Sequence, residues 1–258
     1  MEAHTATDPS IKWDQRKTTI IDVRGREQDF TLDKQGFSLH SSATTFKDFD
    51  NEEAIRAEYY KDVEEVARRI TGATRGHASS HVKRMTHTGG QTPPIDKGSP
   101  AIMIHADYSY KGGLQRFDGE RNSGEIPEDW EKLRQTRWGA LSIWRPIGKV
   151  TRDALCLADK TTITEETLQP LTFTRSNGVT HELFTLKYAP GQQFYYKSLM
   201  GPDDLIAIKL FDTHEDVARC TPHSSFQLKE DYGEARSSIE TRVLVFWADQ
   251  PLHGNTDM

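Results

Sequence analysis

His105 and Asp107 stand two residues apart in AIMIHADYSYKGG (Ala101–Gly113), directly after four apolar residues. Residues i and i+2 of a strand share a face. The spacing therefore predicts an imidazole and a carboxylate converging at the end of a core strand, Ala101–Ile104. A His-x-Asp pair alone is a weak signal, and the chain holds a second one, His214-Glu215-Asp216, in the polar stretch THED where exposure is expected. The first pair gains weight from residues further along the chain. His223, in TPHSSF, comes after the apolar run DLIAIKLF and offers a third ligand. Two histidines and a carboxylate with open positions are the donor set of non-haem Fe(II) oxygenases. In RSSIETRVLVFW, Arg236, Ser238, Glu240 and Arg242 share one face by alternation, opposite Ile239, Val243 and Val245. A polar face on so apolar a strand requires partners for its charges. The Arg-x-Ser at its start suits the distal carboxylate of 2-oxoglutarate, which a guanidinium fork binds at two points and a hydroxyl at one more.

These side chains need a scaffold that ends two strands side by side and begins a third near them. TTIIDVRG (Thr18–Gly25) and GFSLHSS (Gly36–Ser42) read as strands. From Asn51, the recurrence of Ile55, Tyr59, Val63, Val66 and Ile70 predicts an amphipathic helix ending before Gly72 and packing outside a sheet. Further strands are expected in HVKRM, ALSIWRP, ALCLAD, HELFTLKY, FYYKSL, DLIAIKLF and SIETRVLVFW, with a short helix over Pro127 to Arg134. The Gly- and Pro-rich loop Thr88–Pro100 precedes the His-x-Asp pair and is placed to cover a site. Many strands with few helices predict a mainly β chain with flanking helices, a double-stranded β-helix or jelly roll. No repeat or composition break divides it, so residues 1–258 are expected to form one domain with residues 1–10 frayed.

Composition narrows the function. The net charge of -6 argues against nucleic acid as a partner, because phosphate binding requires a basic surface. The basic cluster RGHASSHVKR (Arg75–Arg84) reads as a solvated strand face. No apolar run approaches the length of a membrane span. MEAHTATDPS has neither a basic nor an apolar leader segment, and Cys156 and Cys220 fit no zinc or redox spacing, which predicts a cytoplasmic protein with reduced thiols. His77, His81 and His87 suit no tight zinc motif.

From roughly Gly36 to Trp247 the chain resembles the Fe(II)/2-oxoglutarate oxygenase-like family of gibberellin desaturase and CmcJ-like proteins of natural-product pathways. The resemblance is carried by YYKDVEEVARRITGA, HADYS, IWRPIGKVTRDALCLAD, FYYKSLMGPDDLIAIKLFDT, PHSSF and RSSIETR. It implies His105, Asp107 and His223 as iron ligands, with Arg236 in the carboxylate-binding position. It further implies dioxygen and a small-molecule substrate, with hydroxylation, desaturation or oxidative cyclisation as the outcome. Arg236 and Arg242 both remain eligible to grip the cosubstrate, and Tyr195 is a candidate hydrogen-bond donor to it. Trp144, Arg145 and Arg242 are candidates to line a pocket for a carboxylic acid, either a natural product or amino-acid-like. A metal-dependent jelly roll without 2-oxoglutarate and a non-catalytic binding module share the same pattern, and the oligomeric state is left open.

Overall fold

The computed structural model describes residues 14, 16–85, 98–123, 128–174, 180–229 and 233–252, without the side chains of 121–123 and 173. Two sheets face each other. The first joins β1 (Ile20–Asp22), β4 (His105–Ala106), β6 (Ala154–Ala158), β7 (Leu168–Thr174), β8 (Thr180–Leu186), β9 (Phe194–Tyr196) and β11 (His223–Phe226), in the order β1-β9-β6-β11-β4-β8-β7. The second joins β2 (Phe37–Ser41), β3 (Arg75–Met85), β5 (Thr136–Pro146), β10 (Asp204–Asp212) and β12 (Ser237–Pro251), in the order β2-β10-β5-β12-β3. Every pairing is antiparallel except β1 with β9. This is the predicted jelly roll.

Alternation along β12 builds both faces of the second sheet. Leu244 and Phe246 point between the sheets, where Phe117, Trp130 and Trp138 stack with ring centroids 4.4 Å apart. Ile239, Val243 and Val245 point outward onto the predicted helix. That helix runs as α1 (Glu52–Ala54), a π-helical stretch (Ile55–Tyr59) and α2 (Tyr60–Thr71). Asn51 caps its start by accepting from the Ala54 N–H at 3.1 Å, and Gly72 ends it at φ 69°. Ile55, Tyr59, Val63 and Val66 are buried, as their spacing predicts. A further helix, α3 (Tyr110–Ser123), packs against β8 and β10. Two of its glycines permit the approach: a Cβ on Gly112 would overlap the Glu182 carbonyl, and one on Gly113 the Phe211 ring.

The apolar run before His105 departs from expectation. Only His105–Ala106 is strand, and Ile102 is 79% exposed. A backbone bond from Ser225 N–H to the Ala101 carbonyl (2.6 Å) holds this stretch beside β11, and the regular ladder begins only at His105. The short helix is α4 (Trp130–Leu133). Residues 88–97 of the loop expected to cover the site, residues 1–10 and His87 lie outside the described residues.

One end of the fold buries charge. Lys209 Nζ meets Asp212 Oδ2 at 2.6 Å and Asp33 Oδ1 at 2.8 Å, and Arg137 Nη2 meets Asp212 Oδ2 at 2.9 Å. Burial alone would raise the Asp212 carboxyl, but Lys209 and Arg137 outweigh it and hold it below its ordinary range. A depressed carboxylate contributes stability that is complete above its unfolded pKa, near 4, and disappears as pH falls through the folded value. Asp212→Asn leaves two buried cations without that partner and is expected to cost about 3–5 kcal/mol. Urea unfolding at neutral pH and again near pH 3 checks this, with the difference between the proteins shrinking in acid.

Candidate metal centre

His223 of β11 lies opposite His105 of β4 in the antiparallel ladder, and the two rings sit 4.8 Å apart, tilted by 45°. Both rings are held by their inner nitrogens. His105 Nδ1 donates to the Met103 carbonyl at 2.8 Å, and His223 Nδ1 to the Thr221 carbonyl at 3.0 Å. A carbonyl can only accept, so each Nδ1 carries a proton and each Nε2 is the ring atom left to face a metal. Asp107, in the bend after β4, turns Oδ1 to within 3.4 Å of His105 Nε2 and 3.9 Å of His223 Nε2. One ligand atom from each residue lies within 4.8 Å of the others, and no second group of this kind occurs among the described residues. Two imidazoles presenting Nε2 and one carboxylate, facing a common point, fit an iron(II) ion.

The electrostatics keep that donor set ready. Burial would raise the Asp107 carboxyl, but Arg242, His105 and His223 outweigh it and hold it well below the usual range. Burial, then His105, pushes His223 down, which favours the neutral ring a metal requires. Arg242 donates through Nε (3.2 Å) and Nη2 (2.8 Å) to Asp107 Oδ2. Glu240 Oε1 accepts from Arg242 Nη2 at 3.3 Å and from Arg84 Nη2 at 3.0 Å. Arg242 is therefore engaged with the triad, and both of its carboxylate partners raise its pKa against the effect of burial.

Arg236 differs. Only 2% exposed, it donates Nη1 to the Asp153 carbonyl and, at 3.4 Å, to Ser225 Oγ. Asp153 itself adopts φ 50°, a left-handed conformation uncommon outside glycine. Arg236 Nε and Ser238 Oγ are buried without a hydrogen-bond partner. Burial, then repulsion from Arg84, lowers the guanidinium to about 10. A buried cation and hydroxyl with unused donors fit an incoming carboxylate.

The remaining candidates fall elsewhere. Tyr195 lies between the sheets, but its hydroxyl donates to Gln193 Oε1 at 2.6 Å and its ring packs on Phe30 and Phe37. Arg145 is a correction: it lies opposite Ile239, on the sheet face beneath the helix, and donates to Tyr59 Oη and the Ser42 and Pro202 carbonyls. It cannot line the space between the sheets. Trp144 does face inward, buried in the core, with the Arg236 guanidinium 5.8 Å from its ring centre. His81 bonds Tyr60 Oη, and His77 packs edge-on against Trp130, so neither joins a metal cluster. Sequence reasoning missed Arg84 and Ser225. The basic cluster reads as a solvated face, yet the Arg84 side chain is 11% exposed and turned to Glu240. Its position opposite Ser238 in the β3–β12 ladder is the signal that finds it.

Jelly roll, candidate triad and buried arginine are the parts expected of an iron- and 2-oxoglutarate-dependent oxidoreductase, the class that the comparisons also give. Residues 2–246 match the family described as Oxidoreductase/YMDC permease-like domain. The chain is 33% identical to the hydroxylase/desaturase CTB9 of Cercospora beticola, over 93% of this chain and 79% of that protein. It is 31% identical to the hydroxylase/desaturase efuI of Hormonema carpetanum, over 95% and 88% respectively. A solved structure of a variant of the iron and alpha-ketoglutarate-dependent endoperoxidase NvfI superposes with a TM-score of 0.79 at 26% identity, covering 91% of this chain and 87% of that one. The chain belongs to this family of Fe(II)/2-oxoglutarate oxygenase-like proteins of natural-product pathways.

His223→Ala removes one Nε2 donor while keeping the backbone bonds of β11. It is expected to abolish stoichiometric Fe(II) binding with little change in the far-ultraviolet circular dichroism spectrum. Anaerobic metal titration checks this, and full iron occupancy in the variant would refute the triad.

Proposed function

We propose that the protein oxidises a small natural product using Fe(II), 2-oxoglutarate and dioxygen, with His105, Asp107 and His223 as metal ligands and Arg236 with Ser238 as the cosubstrate anchor. The observation that carries this reading is the pairing of a convergent triad with a buried guanidinium and hydroxyl whose donors are unused. Bound iron with its cosubstrate supplies the oxidising power for attack on a C–H bond. The chain's own residues do the rest. The two imidazoles and Asp107 would hold the metal through three donor atoms brought together at one point. Arg236 and Ser238 orient the far end of the cosubstrate, with the Trp144 ring packed near the guanidinium. The surrounding core keeps bulk water from the reacting atoms.

The engagement of Arg242 by Asp107 and Glu240, and the outward position of Arg145, remove the two cations proposed from sequence as anchors for a carboxylic acid. The reading therefore extends to small natural products that bind without a carboxylate at these positions. Hydroxylation and desaturation are the reactions named for two of the relatives, and both begin from the same C–H attack. Among the described residues no helix is long and apolar enough to cross a membrane. A cytoplasmic location belongs to the same reading, supported by two buried free cysteines.

Anaerobic titration of the Fe(II) protein with 2-oxoglutarate tests the reading, with appearance of the visible charge-transfer band of the chelate as the expected result. Losing a desolvated charge-assisted pair costs about 2–5 kcal/mol. Arg236→Ala is therefore expected to raise the 2-oxoglutarate concentration needed for half-saturation about 30-fold or more. A band whose midpoint is unchanged in that variant would reassign the anchor.

A further inference from the structure

The guanidinium of Arg242 lies against the one Asp107 oxygen that the imidazoles do not face. Nε and Nη2 both donate to Oδ2, whereas Oδ1 is the atom turned toward His105 and His223. The same guanidinium is steadied from behind. Its Nη2 reaches Glu240 Oε1, which also takes Arg84 Nη2, and Arg84 Nη1 donates to the Ser99 carbonyl at 3.0 Å. Backbone register ties these groups to β12 and the strands beside it in the second sheet. Arg242 lies opposite Ser142 on β5 and Ser80 on β3, and Glu240 lies opposite Trp144 and Val82.

We propose that Arg242 is a positioning residue that holds Asp107 as a one-oxygen metal ligand, presenting Oδ1 and withdrawing Oδ2. The proposal rests on the metal reading of the triad. A carboxylate beside a divalent cation binds through one oxygen or chelates through both. Two charge-assisted hydrogen bonds on Oδ2 oppose chelation, because at least one would have to break for that oxygen to turn inward. The distinction matters for the reaction. A chelating Asp107 would fill one more coordination position, and a facial triad works through the positions it leaves open to cosubstrate and dioxygen. Charge points the same way. Asp107 and Glu240 balance Arg84 and Arg242, so the ligand carboxylate is compensated before any metal arrives and keeps its orientation.

The test uses the full chain as wild type, Arg242→Met and Arg242→Lys. Each metal-free protein is melted to establish folding and then titrated anaerobically with Fe(II) alone. The Fe(II) proteins are treated with nitric oxide, and the electron paramagnetic resonance line shape of the adduct reports the ligand geometry. Losing an outer partner of a metal ligand typically weakens metal binding about 10–100-fold. Arg242→Met is expected to show that loss together with an altered line shape. Arg242→Lys keeps the charge but not the fork, and is expected to recover most of the affinity without the native line shape. A purely structural Arg242 would lower melting temperatures yet leave the iron affinity and line shape of both folded variants as in wild type, which would overturn the proposal. If Arg242→Met does not fold, Arg242→Lys decides by its line shape, a wild-type spectrum overturning the proposal. Failure of the wild type itself to bind Fe(II) is a separate result, one that overturns the metal reading and this proposal with it.

Discussion

A single cross-strand pair, His223 opposite His105, sets the geometry on which the rest of the site depends. A slip of one residue in such a ladder turns every side chain to the other face of the sheet. What prevents the slip is the packing on the far side. Ala106, which alternates with His105, is buried with Cys156, Phe184 and Cys220 on the outer face of the first sheet. With β4 only two residues long, its register relies on β11 and β8 flanking it. The apolar outer face thus fixes where two imidazoles point, and the backbone carbonyls of Met103 and Thr221 fix how those rings turn.

Between the sheets the protein carries an unusual amount of charge, and its arrangement assigns the roles. Arg84, Arg236 and Arg242 all enter this space, and Asp107 and Glu240 face them. Buried charge is tolerated only when paired and hydrogen-bonded. Glu240 joins Arg84 to Arg242, and Arg242 joins that pair to Asp107. Arg236 makes no ion pair among the described residues, and it stands beside Ser238, whose hydroxyl is likewise unpartnered. The same bonding that makes Arg242 unsuitable as a carboxylate anchor makes Arg236 suitable. Arg236 stands just before β12 and Arg242 within it, on one polar face that runs from the proposed cosubstrate anchor to the candidate metal ligands.

Most of this pattern was legible in the sequence because β12 and the helix obey simple periods. The alternation from Ser238 to Phe246 and the stripe from Ile55 to Val66 both appear as written. Periodicity failed where both faces of a strand are buried. β5 is covered by the other sheet on one side and by the helix on the other, so Trp144 and Arg145 are equally hidden and polarity does not distinguish their directions. Arg145 finds its partners in Tyr59 and in two backbone carbonyls from distant loops, contacts that no local spacing encodes. Ala101–Ile104 failed for the opposite reason: apolar residues without a strand beside them for most of their length do not form a strand. Tyr195, a candidate donor to the cosubstrate, lies in the core with its hydroxyl taken by Gln193, two residues away, a local contact that strand periodicity does not reveal.

The two cysteines in the outer packing of the first sheet give that packing a chemical readout. Burial raises both thiols to about 12, so at neutral pH almost none of either is thiolate, the form that reacts with electrophiles and oxidants. Cys156 lies on β6 and Cys220 just before β11, either side of the pairing that carries His223. Neither sulfur can meet a reagent until that part of the sheet separates, so the thiols stay silent for as long as the ligand strands remain docked. The rate at which an alkylating agent consumes them is then a clock for opening events in the ladder. Through it, the persistence of the candidate metal site can be followed without any metal being present.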